Sequence, residues 1–147
     1  MLRYIQVINA KNVPLMKAAA ALTRGMAVTV GTDGVSPAAA GAVGVRLVDA
    51  PNNYDGINAA ITPNDGSFEE IKVGDIVPTV VPQDGEKYGT TCVEGAASLT
   101  DGAALTVENG IFKAGSGKTE WVYRGTYHEP SVEGGVGYVI EKVPVTE

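Results

Sequence analysis

Leu22-Thr23-Arg24-Gly25-Met26-Ala27-Val28-Thr29-Val30 returns without a gap as Leu99-Thr100-Asp101-Gly102-Ala103-Ala104-Leu105-Thr106-Val107, with six of the nine positions identical. In each copy a glycine admits the chain to a strand, and apolar residues then alternate, Met26, Val28 and Val30 in the first, so that they line one face. Asp33-Gly34 follows the first copy and Asn109-Gly110 the second, dipeptides that suit tight hairpin turns. The likeness runs on more loosely. Gly34-Val35 matches Gly110-Ile111 after a one-residue gap, Gly44 matches Gly125 after an insertion, and Asp49-Ala50-Pro51 stands against His128-Glu129-Pro130. Apolar segments close the copies, Gly56 to Ile61 in one and Gly135 to Ile140 in the other.

The repeat units are therefore about 22–61 and 99–140, with a central segment 62–98. There Ile71-Lys72-Val73-Gly74-Asp75-Ile76-Val77 is a third, fainter version of the phrase. Chance similarity among segments rich in Gly, Thr and Val is the alternative, and six matches in nine favours duplication. A single hairpin cannot bury its apolar face, so the two copies are expected to pack as one β domain over 22–147.

Asp55-Gly56, Asp65-Gly66, Asp84-Gly85 and Asp101-Gly102 add further turns between short runs rich in β-branched residues. The fold class is mainly β: a small β-barrel or sandwich built from the duplicated hairpin unit, with an extended N-terminal arm and at most one short helix. The arm spans 1–21. The alanines of Leu15 to Leu22 predict a two-turn helix that Gly25 stops. Leu2-Arg3-Tyr4-Ile5-Gln6-Val7-Ile8 has strand propensity without an adjacent turn, so it pairs either with a distant edge of its own domain or with a neighbouring molecule.

At 147 residues the chain can bury a core without staples. One Cys and one His exclude an intramolecular disulfide, a common Cys/His zinc site and catalysis by paired histidines. No apolar run reaches a membrane-spanning length, and Lys17 with Ala18 to Leu22 is too short for a secretory signal, so synthesis in the cytoplasm is expected. The net charge of −6 is uneven: residues 1–32 carry +4 and the remaining 115 carry −10. A basic leader on an acidic body suits either docking on a negative protein surface or four solvated charges on a flexible N-terminus, and the body would be repelled by nucleic acid.

Several catalytic signatures are present only in part. Gly115-Ser116-Gly117-Lys118-Thr119 resembles the end of a phosphate-binding loop, but Phe112 replaces the required glycine and a strand-like Glu120-Trp121-Val122-Tyr123 follows. His128-Glu129 lacks a second histidine and precedes Pro130, while Asn53, Asp55 and Gly56 form only part of a calcium loop. Cys92 in Thr90-Thr91-Cys92-Val93 reads as a buried thiol. Tyr123-Arg124-Gly125 and Glu133-Gly134-Gly135-Val136-Gly137 resemble two motifs of the trimeric dUTPase family. The aspartate expected before the first motif is missing, and Val132 stands where an arginine belongs, so the base and phosphate-binding roles are unfilled. The chain is read as no enzyme, with no cofactor and no metal.

Leu22 to Val28, the turn through Asp33-Gly34-Val35 and then Ala42-Val43-Gly44-Val45 resemble the glycine-punctuated pattern of tailed-bacteriophage capsid decoration, or cement, proteins. Phe112-Lys113-Ala114 with Arg124-Gly125-Thr126-Tyr127-His128-Glu129 resembles it again. The resemblance implies a structural virion protein on the outer surface of an icosahedral capsid, where it stabilises contacts between major capsid protein subunits, as a homotrimer or in some phages a dimer. The long leader and segment 62–98 depart from the simplest members. Leu2, Arg3, Tyr4, Ile5, Val7 and Ile8 are the candidate contacts to the capsid or a neighbouring copy. The alternative is a receptor- or glycan-binding domain of a phage fibre, with Trp121, Tyr123, Tyr127 and Tyr138 as an aromatic platform, although core packing is the favoured place for such scarce bulky residues.

Overall fold

The computed structural model describes residues 1–7, 13–49, 70–130, 132 and 134–146. Ile8, the calcium-like Asn53, Asp55 and Gly56, and the closing segment 56–61 lie outside the described residues. The strands are β1 (Leu2–Gln6), β2 (Leu15–Lys17), β3 (Leu22–Thr23), β4 (Ala27–Gly31), β5 (Gly34–Pro37), β6 (Arg46–Val48) and β7 (Glu70–Ile71). They continue with β8 (Ile76–Val80), β9 (Lys87–Thr90), β10 (Ala104–Glu108), β11 (Ile111–Ala114), β12 (Thr119–His128) and β13 (Val136–Thr146). The fold is mainly β, and every named strand pairing is antiparallel.

The duplicated phrase is a duplicated structure. In the β4–β5 hairpin Val28 faces Pro37, Thr29 faces Ser36, Val30 faces Val35 and Gly31 faces Gly34. In the β10–β11 hairpin Leu105 faces Ala114, Thr106 faces Lys113, Val107 faces Phe112 and Glu108 faces Ile111, at one constant offset. The entering turns match as well: Met26 N–H donates to the Thr23 carbonyl at 3.1 Å and Ala103 N–H to the Thr100 carbonyl at 3.0 Å. Gly25 N–H reaches the Val48 carbonyl and Gly102 N–H the Tyr123 carbonyl, both at 2.8 Å. The one-residue gap expected at Gly34-Val35 is therefore absent. Val35 corresponds to Phe112, because the Asn109-Gly110 turn occupies the places of Thr32 and Asp33.

The likeness extends to whole sheets. One sheet runs β2-β8-β6-β4-β5 and the other β1-β9-β13-β12-β10-β11, with β3 and β7 in a small third sheet. Numbered along the chain within each unit, both large sheets contain the order first, fifth, fourth, second, third. The strand that completes the first unit is β8 and the strand that opens the second is β9, both within the segment read from sequence as lying between the repeats. β1 is the addition, laid on the outside of β9.

The expected helix over Leu15 to Leu22 does not form. Those residues make β2, a bridge at Ala18 and β3, and the described residues hold only a 3-10 turn, Ala96–Ser98. Tertiary pairing overrides the alanine preference, which is worth only a few tenths of a kcal/mol per residue: Ala18 N–H donates to Asp75 O and Ala19 N–H to Val35 O, both at 2.8 Å. Ala18 is fully buried where the two outer strands of its sheet approach. Each five-strand unit curls until its outer ends meet at a single parallel bridge, Ala18 to Val35 in one and Val93 to Phe112 in the other. One bridge is not a ladder, so no closed barrel forms and the arrangement is sandwich-like.

Two apolar clusters result. Ala18, Leu22, Val28, Val35, Val48, Ile71 and Val77 fill the first unit. Leu105, Val107, Phe112, Trp121, Tyr123 and Ile140 fill the second, joined by Ala27, Leu47 and Val80 from the first. Alternation explains the sharing, since Val28 and Val48 point one way while Ala27 and Leu47 point the other. The first sheet is consequently buried on both faces around these residues, each large aliphatic side chain contributing roughly 1.5–3 kcal/mol. A polar link joins the units: the buried Glu120 carboxylate accepts from Val45 N–H at 3.2 Å and lies 3.4 Å from Lys142 Nζ.

Candidate functional site

The N-terminal strand combines anchoring residues with exposed ones. Leu2 and Met1 are inside the core, and Leu2, Arg3 and Tyr4 stand opposite Thr90, Gly89 and Tyr88 of β9. The Met1 ammonium donates to Arg24 O at 2.6 Å and Thr91 Oγ1 at 3.0 Å. Arg3 donates through Nε and Nη2 to the two oxygens of Glu129, at 2.8 and 2.9 Å. The Glu129 side chain is 0% exposed, and Tyr127 Oη donates to it at 3.1 Å. The Tyr127 ring lies over the backbone of Gly89 and Gly137, filling the places where side chains would stand.

Tyr4 fixes the other face. Its hydroxyl donates to Asp49 Oδ2 at 2.8 Å, and Asp49 Oδ1 accepts from Arg24 Nε at 2.9 Å. Its ring meets Tyr88 edge-on with centroids 5.9 Å apart, and Tyr88 in turn donates to the buried Glu86. Burial, reinforced by the adjacent Asp49 carboxylate, pushes the Tyr4 hydroxyl well above its ordinary pKa; burial and the bond to Glu86 do the same to Tyr88. Both remain neutral donors at any physiological pH.

Despite its anchorage Tyr4 remains 41% exposed, and Ile5 is 45% and Val7 39% exposed. The pairing register shifts between Tyr4 and Gln6, so β9 offers no residue opposite Ile5. Of the candidate contacts, Leu2 is committed to the core and Arg3 to Glu129, while Tyr4, Ile5 and Val7 present apolar surface. Sequence reasoning missed the roles that Glu129, Asp49 and Tyr127 play here, because they follow only once β1 has paired with a strand more than 80 positions away.

The other sequence motifs take structural places. Ser116 to Lys118 form the connection from β11 to β12, and a strand follows. Arg124 bridges Glu141 at 2.6 Å and Asp101 at 3.1 Å, two partners that hold its guanidinium protonated more firmly still. Cys92 is buried, with Sγ 3.6 Å from Arg24 O. Trp121 and Tyr123 are core residues, so the aromatic platform does not assemble. Among the described residues no three His, Cys, Asp or Glu side chains gather to hold a metal ion, and no helix is long and apolar enough to cross a membrane.

No protein-family model, curated protein or solved structure matches this chain.

Proposed function

We propose that this chain is a structural virion protein of a tailed bacteriophage, made in the host cytoplasm, that binds the outer surface of an icosahedral capsid and stabilises contacts between major capsid protein subunits. The observation that carries this reading is the exposed apolar surface of Tyr4, Ile5 and Val7, on and directly after a strand held to its body by a bidentate ion pair. A contact strand already ordered before binding loses little conformational entropy on docking. A protein that binds the assembled shell better than loose subunits stabilises that shell by mass action, without chemistry. The acidic body keeps the molecule soluble at the surface and away from packaged DNA.

The experiment is co-sedimentation of the purified protein with capsids lacking it. Saturable binding is expected, weakened on the order of tenfold by Ile5→Glu combined with Val7→Glu, a loss of about 1.4 kcal/mol. The side chains changed are exposed, so circular dichroism should show an unchanged fold. Absence of binding, or binding indifferent to both substitutions, overturns the reading.

A further inference from the structure

Asn109 and Gly110 form the two-residue turn between β10 and β11, closed by the facing pair Glu108 and Ile111. Both have positive φ, 49° and 78°, as a tight hairpin turn of this kind requires. Their surroundings differ. Asn109 is exposed, whereas Gly110 is buried against the first unit. Gly110 N–H donates to Ala38 O at 3.0 Å, and Gly110 O accepts from Ala27 N–H at 2.9 Å. A Cβ on Gly110 would stand 3.1 Å from Ala27 O, 3.3 Å from Pro37 Cβ and 3.5 Å from Met26 Cβ. On the same hairpin Val107 O accepts from Gly41 N–H at 2.9 Å.

Asparagine is a thermolabile residue, and a following glycine offers its backbone nitrogen without a side chain to shield it. In that chemistry the Gly110 nitrogen gives up its proton and bonds to Asn109 Cγ, ammonia leaves, and a five-membered succinimide remains. Water then opens the ring. Attack at the former side-chain carbonyl yields aspartate; attack at the main-chain carbonyl yields isoaspartate, whose main chain runs through the β-carbon. Here the attacking nitrogen is held by Ala38 and its residue's carbonyl by Ala27, so the ring closes only after the hairpin has lifted from the first unit. We propose that Asn109 is a modification site whose conversion to aspartate or isoaspartate is controlled by the contact between the two units. Chemistry at an exposed side chain thereby records the opening of a buried junction. The isoaspartyl product lengthens the main chain of a two-residue turn, so Gly110 no longer meets Ala27 and Ala38 together while Glu108 faces Ile111. The inference concerns the chain alone and stands whatever partner it binds.

The test follows the full chain in mildly alkaline buffer, with mass spectrometry of proteolytic peptides resolving the asparaginyl, aspartyl and isoaspartyl forms of residue 109. Conversion in the folded protein is expected to be on the order of a hundredfold slower than in the same chain unfolded by urea, because it draws on a minor open population. Hydrogen exchange at the Gly110 amide reads that population without the chemistry. Val45→Ala removes two methyl groups from the shared core and should speed conversion and Gly110 exchange alike, each about tenfold. Circular dichroism checks that the variant is folded, and Ala42→Gly, a smaller change against the same core, replaces it if it is not. Equal rates in the folded and unfolded chains overturn the proposal. So does conversion that the folded variant leaves unchanged, and so does isoaspartyl protein in which the Gly110 amide remains as protected as before.

Discussion

Arg3 and Glu129 lie 126 positions apart and share two hydrogen bonds, one oxygen to each nitrogen, at 2.8 and 2.9 Å. The carboxylate is wholly buried while the guanidinium side remains 45% exposed, so the pair is half in water and half in protein. It fastens the outermost strand of the larger sheet to the end of β12.

Removing the cation should cost more than removing both charges. Arg3→Met leaves a buried carboxylate with only part of its partners and is expected to destabilise by about 2 kcal/mol, below the full buried-pair value because Arg3 is partly solvated. Adding Glu129→Gln should recover about 1 kcal/mol of that loss. Urea denaturation of the two single variants and the double variant measures this coupling; strict additivity would show that the pair is not fastening the strand.

Equivalent glycines of the two units should respond differently to alanine. Gly25 has φ +94° and a Cβ there would stand 2.4 Å from Met1 O and 2.6 Å from Thr90 Oγ1; Gly102 has φ +85°, but its nearest neighbour would be Arg124 Nη1 at 3.8 Å. Gly102→Ala therefore meets only backbone strain, roughly 1–2 kcal/mol. Gly25→Ala should cost at least about twice as much, because β1 must also move. Thermal denaturation compares them directly.

The tyrosines predict an alkaline limit. Tyr4, Tyr88 and Tyr123 have pKa values raised above the ordinary 10.0, in each case chiefly by burial. An acid whose folded pKa exceeds its unfolded value contributes stability that is complete below the unfolded value and lost as pH rises past it. The melting temperature should thus begin to fall above about pH 10. Tyr88→Phe should lower the plateau, since Glu86 loses a buried partner, and make the alkaline fall shallower. An identical slope in that variant would remove Tyr88 from the account.

Tyr127 makes a ring contact and a polar contact that can be separated. Tyr127→Phe keeps the ring over Gly89 and Gly137 and deletes one hydrogen bond to Glu129, an expected loss of about 1 kcal/mol. Tyr127→Ala uncovers both glycines and should cost about 2–4 kcal/mol. Equal losses would mean that the hydroxyl carries the whole effect.

What could be read from the sequence follows from what is local. The Gly25 and Gly102 turns and the two hairpins depend on neighbouring residues, so the repeat and the β class were visible in the order of the letters. The gap placed at Gly34 came from matching glycine to glycine, whereas the backbone conserves ladder positions and lets the turn residues change. β2 was hidden by alanines whose helix preference is smaller than the pairing they gain. The strand character of Leu2 to Gln6 was legible, but its choice of β9 and the service of Glu129 and Asp49 were not, because partner choice is settled by the packed fold.

The pairing of β1 with β9 also sets an order of events during synthesis. Residue 2 must await residue 90, and residue 3 must await residue 129, whereas the hairpin of β4 and β5 closes across a two-residue turn. On the ribosome the apolar segment that emerges early is therefore among the last to be seated, while hairpins behind it are already closing. For that interval the nascent chain carries an unsatisfied strand, whose seating waits on the second unit.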